Sequence, residues 1–238
     1  AGIRMKAEKD GDEWVLNGQK VWTSGAHFAD YGMIVARSDP TALKHKGLTY
    51  FYVDMKTPGI EAKPIKQISG SANFNEVFFN DVRIPDSQRI GAEGDGWKVS
   101  LTTLMNERLA VGDPPGLDFD QIFEASKEIE VEDGLAVKNS EVRQKMADWY
   151  IQSRGLQYTK YRSMTALSKG QTPGPELSIS KLVTASKMQD VSSYALDLMD
   201  MSGMVHQDQN PILKNLFQNG YFFSAAMRIA GGTDEVLR

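Results

Sequence analysis

Near Ile90 the sequence changes its grammar, and that change limits what the chain can fold into. Residues 1–92 are punctuated like a β domain. Asp10–Gly11 and Asn17–Gly18 are both hairpin-turn signals, the second flanked by WVL and KVW. Strand-like runs follow at 31–38, 48–55 and 76–84, rich in aromatic and β-branched residues and separated by PG, NF and SG clusters. Nothing there reads as a crossover helix, so an antiparallel barrel or sandwich is expected. Past GAEGDG (91–96), Leu101, Leu104, Met105, Leu109 and Val111 recur at helical spacing over 97–112. DPPG ends that helix, because neither proline can continue it. Further helices are predicted at 118–130, 141–169 and 175–200, the last preceded by the breaker QTPGP. Another starts at Pro211 and runs to Ala230, where Gly231–Gly232 stops it and Thr233 caps the next. The expected organisation is α+β, with a β domain over 1–92 and packed long helices over 93–238.

Composition narrows the function classes. The 238 residues are 41% hydrophobic and 24% charged with a net charge of −4, enough for a real core and two domains. Lys and Arg are scattered rather than blocked, which gives no footprint for nucleic acid or an anionic membrane. No apolar run approaches the roughly 20 residues a bilayer span needs. There are no cysteines, so disulfides, thiolate catalysis and zinc–sulfur sites are excluded. The three histidines lie far apart and no H-E-x-x-H occurs, so no metal site is expected. The opening AGIRMKAEKDGDEW is neither a signal nor a transit peptide, and TDEVLR stops as a helix starts. The chain is therefore expected to be part of a longer protein.

Three stretches carry candidate chemistry. GAEGDG has its glycines as G-x-x-G-x-G after an I-P-D-S turn, which is not the strand–turn–helix context of a dinucleotide loop; it reads as an interdomain turn. In KVWTSGAHFADYG (20–32), Trp22 precedes the hydroxyls of Thr23 and Ser24. An indole beside short hydroxyls at a strand end suits a flat heteroaromatic with hydrogen-bonding edges; the competing reading is a core tryptophan with turn hydroxyls. Ser24, His27 and Asp30 are too close in one turn to form a triad. In MNERLAVG, Glu107 shares a helical stripe with Ser100, Thr103 and Ala110–Val111, small residues that suit a cleft wall. Arg108 points about 100° away around the helix. Glu107 is either a solvated surface group, half of a structural ion pair, or a carboxylate held to move a proton.

Together these stretches resemble the acyl-CoA dehydrogenases. The resemblance runs from DGDEWVLNGQKVWTSGAHFADYG through TPGIEAKPIKQISG, NEVFFNDVRIP and GAEGDGW to LTTLMNERLAVG, VRQKMADWY and RIAGGTDEVLR. It implies a middle antiparallel β domain, a C-terminal up-and-down four-helix bundle and a missing N-terminal helical domain, with FAD between the domains. Trp22 would pack by the isoalloxazine, the Ser24 hydroxyl and the backbone around Thr23 would bond its edge, and Gly232 and Thr233 would lie on the cofactor side. The implied reaction removes the α-proton of an acyl-CoA thioester and passes the β-hydride to flavin N5, with lipid degradation as its setting. Most members place the base directly before the terminal G-T, where this chain has Gly231. A minority, resembling isovaleryl-CoA dehydrogenase, place it in the motif E-R-L, matched here by Glu107-Arg108-Leu109. The resemblance thus implies Glu107 as base, Arg108 on the substrate side, and Gly231 offering its backbone N–H to the thioester carbonyl.

Two family motifs are absent. No R-x-x-F-G occurs in EIEVEDGLAVKNS, and no glutamine–double-glycine segment occurs around DLMDMSGMVHQDQN. The family uses both to hold a neighbouring subunit's FAD. The expected partners are accordingly acyl-CoA, an electron-transferring flavoprotein, and a homo- or hetero-tetramer with a paralogous subunit. Two alternatives remain open: a non-catalytic partner subunit and a flavin oxidase of the same fold. The location implied is cytoplasmic in a bacterium and the mitochondrial matrix in a eukaryote.

Overall fold

A computed structural model describes residues 2–110, 117–171, 174, 176–205 and 215–237; the side chains of 105–110 and 177 lie outside that description. The chain divides into two compact units, residues 1–110 and 111–238.

In the first unit, β1 (Lys6–Asp10) and β2 (Glu13–Ser24) join at the predicted Asp10–Gly11 turn, with Asp10 opposite Glu13. The strands β3 (Tyr31–Arg37), β4 (Leu48–Asp54), β5 (Ile60–Ile65), β6 (Phe74–Pro85) and β7 (Arg89–Ile90) complete a sheet ordered β5-β6-β2-β1-β3-β4-β7. All pairings are antiparallel except β1 with β3, which meet in parallel at Lys6 and Arg37. That parallel strand pairing departs from the all-antiparallel expectation. It is fastened by the Arg37 N–H donating to Met5 O at 2.7 Å and Arg37 Nε to Ile3 O at 3.1 Å. Pro64 is tolerated in β5 because this strand is a sheet edge, where one side of the ladder needs no donor. Alternating residues supply one core: Trp14 and Leu16 from β2, Ile34 and Ala36 from β3, Phe51 and Val53 from β4, and Val77, Phe79, Val82 and Ile84 from β6.

Asn17–Gly18 is not a hairpin turn. It lies inside β2, which runs on to Ser24 with β1 on one side and β6 on the other. Leu16 faces Val82 and Gly18 faces Phe79, so β6 carries one extra residue here, at Asn80–Asp81. Asn17 ties this bulge: its Nδ2 donates to Asp81 Oδ1 and its Oδ1 accepts from the Asp81 N–H, both at 2.9 Å. Gly18 has φ +138°, and a Cβ there would stand 2.9 Å from the Met5 Cα. The turn-type residues serve a bulge and a close strand approach.

Helix α1 (Gly96–Ala110) belongs to this first unit and packs on β4 and β3. GAEGDG is the seam that fastens it. The Gly94 N–H donates to the hydroxyl of buried Thr49 at 3.0 Å, and Asp95 bridges to Leu48.

The second unit is helical. Its elements are α2 (Phe119–Ser126), a short hairpin of β8 (Glu130–Val131) and β9 (Gly134–Leu135), α3 (Ser140–Ser168), α4 (Glu176–Leu198), α5 (Leu216–Met227) and α6 (Asp234–Leu237). Asp118 and Gln121 form a capping box at α2, and Asn139 caps α3 by accepting from Glu141 and Val142 N–H. The helix expected over 118–130 ends at Ser126, and the β8–β9 hairpin takes up the following residues. The prolines of DPPG and Pro211 lie outside the described residues. Val142, Met146 and Trp149 of α3 meet Met188, Val191 and Ala195 of α4 at helical spacing, with Ile122 of α2 and Phe217 of α5 closing the core. Lys187, 3% exposed, donates to Asp118 Oδ1 and Ser153 Oγ, each at 2.8 Å, and so ties α4 to the start of α2 and to α3. Burial pushes the Asp118 carboxyl up, but bonds from Lys187, Ser153 and the Phe119 N–H together hold it below its ordinary value. Among the described residues, no helix is long and apolar enough to cross a membrane.

Gly18→Ala is expected to destabilise the β unit by about 1–3 kcal/mol through clash and strain, read by urea denaturation. Trimming Met5 to Ala should not restore the loss, because the nearest contact is backbone.

Candidate active site

The residues at the end of β2 are set by a second bulge. Lys20 faces Val77 and Thr23 faces Asn75, so β2 now carries the extra residue, at Val21–Trp22. Trp22 adopts φ +60°, a left-handed conformation that costs a non-glycine residue about 1–2 kcal/mol. Its side chain is 62% exposed and leans edge-on against Phe74, with ring centroids 6.1 Å apart. The core-tryptophan reading is therefore wrong for this residue; the bulge turns the indole outward.

What holds the strain is Asn75, fully buried on β6. Its Nδ2 donates to Thr23 O at 3.0 Å, and its Oδ1 sits 3.0 Å from His27 Nδ1, which donates when protonated there. The Gly25 N–H closes the corner onto Asn73 O at 2.9 Å. Thr23 is half-buried and Ser24 exposed. The arrangement offers an exposed indole beside two hydroxyls on a pinned backbone, a donor set suited to the face and edge of a flat heteroaromatic. A planar cofactor such as a flavin ring fits these residues. Ser24, His27 and Asp30 form no triad: His27 is engaged with Asn75, and Asp30 pairs with Lys56 at 2.7 Å. The Lys56 hydrogen bond, then its charge, holds the Asp30 carboxyl below its ordinary value.

The second constellation lies at the end of α5. Met227 closes the helix, Gly231 and Gly232 follow with φ +69° and +112°, and Thr233 opens α6. The Thr233 carbonyl accepts from Val236 and Leu237 N–H at 3.0 and 3.1 Å. Gly231 is exposed, and a Cβ there would meet no atom within 4 Å. Among the described residues, no hydrogen bond takes up the N–H of Gly231 or Gly232. The turn therefore presents free backbone donors and no side chain.

Glu107 and Arg108 fall on α1, and their side chains lie outside the described residues. Residues 128–140, which lack R-x-x-F-G, contain the β8–β9 hairpin, and residues 206–210 of the segment that lacks the glutamine–double-glycine motif lie outside the described residues. Sequence reasoning did not single out Phe74, Asn75 or Lys181. Asn75 sits in an ordinary strand pattern, and only the pairing partner of Thr23 could have flagged it.

Comparison with known proteins covers both units. The family model described as acyl-CoA dehydrogenase, middle domain, matches residues 1–82, and that for the acyl-CoA dehydrogenase C-terminal domain matches residues 94–238. The chain is 35% identical, over all of its length, to acyl-CoA dehydrogenase FadE34 of Mycobacterium tuberculosis, of which it spans 32%. It is 34% identical over all of its length to acyl-CoA dehydrogenase IpdE1 of the same organism, of which it spans 60%. The solved Tcur3481–Tcur3483 steroid acyl-CoA dehydrogenase superposes with a TM-score of 0.86 at 25% identity, covering 100% of this chain and 61% of that one.

Trp22→Gly is expected to leave stability to denaturant within about 0.5 kcal/mol, since an exposed, strained side chain is removed. A loss of about 3–5 kcal/mol, as for a buried aromatic, would contradict the outward-facing indole.

Proposed function

Because the chain belongs to the acyl-CoA dehydrogenase family, we propose that it is a catalytic subunit of an FAD-dependent acyl-CoA dehydrogenase acting on a CoA thioester. The observation that carries this reading is Trp22: an exposed indole held in a strained backbone by a buried asparagine, next to two hydroxyls. Strain maintained at an exposed aromatic is a mark of a ligand surface. The family is flavin-dependent. FAD, when bound, supplies the acceptor for the substrate's β-hydride. In the proposed assignment Trp22 packs against the ring, Thr23 and Ser24 bond its edge, and Gly232 and Thr233 lie on the cofactor side.

The chain's own residues divide the rest of the chemistry. The α-proton of a thioester is weakly acidic, so its removal needs a carboxylate and donors to the carbonyl. Gly231 has no carboxylate to give, but its N–H is untaken. Glu107 removes the proton, Gly231 N–H bonds the carbonyl, and Arg108 serves the substrate side. A Cβ at Gly231 would meet no atom within 4 Å, and the missing side chain there is consistent with a bulky acyl group. By the family division we assign 1–92 to the β domain and 93–238 to the helical domain, although α1 packs within the first compact unit, with reducing equivalents leaving to an electron-transferring flavoprotein in the bacterial cytoplasm.

The β8–β9 hairpin in place of R-x-x-F-G favours a heteromer, in which a paralogous subunit supplies the adenosine-binding residues. The relative solved as Tcur3481–Tcur3483, two named components, supports that arrangement. The same absence favours a second reading, a non-catalytic partner subunit that only completes another chain's flavin site.

Glu107→Gln keeps size and hydrogen bonding but cannot take up the proton. In the flavin-loaded complex it is expected to slow flavin reduction by acyl-CoA by about 10²–10⁴-fold while FAD content and ligand binding persist. Reduction at the unaltered rate would move the base elsewhere and leave the partner-subunit reading. Co-expression with a paralog, sized and assayed for flavin, is expected to give a heteromer; an active homo-oligomer with one FAD per chain would contradict it.

A further inference from the structure

The two glycines that carry the untaken N–H groups should be the loosest point of the helical unit, yet three charged side chains converge on them. Lys181 reaches from the first turns of α4 and donates to Gly232 O at 2.6 Å. Its Nζ also lies 3.7 Å from Asp234 Oδ1. Asp234, the first residue of α6, has a side chain only 5% exposed. Its Oδ2 accepts from Arg228 Nε and NH2, both at 2.7 Å, and Arg228 is the residue that caps the end of α5. Arg228 NH1 in turn donates to Gln189 Oε1 on α4 at 2.8 Å. One clip thus joins Arg228, three residues before the glycine pair, to Asp234, two residues after it, and Lys181 of α4 holds the carbonyl of Gly232.

We propose that Lys181 is a positioning residue for the Gly231–Gly232 turn, holding it so that the untaken N–H of Gly231 faces the thioester carbonyl; this rests on the function proposed above. Consecutive glycines have wide freedom in φ and ψ, so a donor carried on them would be poorly aimed without an outside hold. Arg228 and Asp234 fix where the two ends of the turn stand. They do not fix the peptide planes between them. The bond from Lys181 to Gly232 O orients the peptide unit between Gly232 and Thr233, and with Arg228 and Asp234 holding the turn's ends it limits how the two preceding units, the first of which carries the Gly231 N–H, can rotate. A donor set before the reaction needs no reorganisation during it. Burying the Asp234 carboxylate and most of the Lys181 side chain costs more desolvation than an apolar helix end would, which is more than stability alone requires.

The test compares Lys181→Met, which keeps the stem and removes the donor, with Lys181→Arg, which keeps a charged donor, in the flavin-loaded complex. Two readouts are needed. Hydrogen exchange of peptides spanning 226–237, measured in the resting protein without acyl-CoA, is expected to quicken by about 10-fold or more in Lys181→Met, with the β unit unchanged. The rate of flavin reduction by acyl-CoA is expected to fall by about 10–100-fold with FAD content intact, as for a small misplacement of a reacting group. Lys181→Arg should recover most of both. Unchanged local exchange overturns the proposal, as does faster exchange across the whole helical unit. Faster exchange at the turn with an unaltered reduction rate overturns it too, since the turn would be held but not used. A failure of the underlying function reads differently: the unsubstituted complex would show no flavin reduction by acyl-CoA, while the exchange arm still reports whether Lys181 holds the turn.

Discussion

The pairing of β2 with β6 is the constraint on which the β unit depends. Two bulges of opposite sense interrupt it, the first placing the extra residue in β6 at Asn80–Asp81 and the second in β2 at Val21–Trp22. Side chains alternate along a strand, so an unpaired residue exchanges the inward and outward faces. The first bulge lets Val77 and Phe79 share a core with Val82 and Ile84, although their spacing in sequence is out of phase. The second restores the count and turns Trp22 to the surface. The core and the candidate ligand surface are thus consequences of one ladder, and Asn75, buried on β6, bonds the strand end that carries Thr23 and Ser24.

The helical unit uses a different device. Its apolar stripes bring α3 and α4 together, but charged side chains decide where helices begin and end. Lys187 ties α4 to the capping residue of α2, Trp149 donates to Asp190 at 2.8 Å between α3 and α4, and Arg228 with Asp234 joins α5 to α6. Apolar contacts are non-directional and permit sliding along a stripe. An ion pair with one partner buried, as Lys187 and Asp234 are, has a narrow geometry and leaves a costly unpaired charge when shifted. The Lys187–Asp118 and Arg228–Asp234 pairs stand at helix ends, and the second of those ends is where the glycine turn is made.

Much of the organisation was legible in the residues. The helices at 141–169 and 175–200 appear as Ser140–Ser168 and Glu176–Leu198, because long 3.6-residue periodicity between clear breakers leaves few alternatives. The Asp10–Gly11 turn and the strands around 31–38, 48–55 and 76–84 were equally visible. The misreading at Asn17–Gly18 has a specific cause. The pair has the same local chemistry in a hairpin turn and beside a bulge, and only strands paired on both sides of β2 decide between them. The β8–β9 hairpin escaped notice because two-residue strands carry too little alternation to register. Asn75 and Lys181 escaped because their partners lie 52 and 51 residues away in sequence.

The amino-acid sequence by itself determined the two-part organisation, the positions of the long helices, the glycine pair at 231–232 and the residue types available for chemistry at 22–24 and 107–108. These depend on periodicity, turn chemistry and side-chain identity, which are local properties. Only the tertiary structure decided that Trp22 faces outward in a left-handed backbone, that Asn17–Gly18 lies within a strand, and that Lys181 bonds the carbonyl of Gly232. Each of those depends on which distant segment occupies the adjoining space, and bulge placement and buried charge pairing are settled by that neighbour rather than by local propensity.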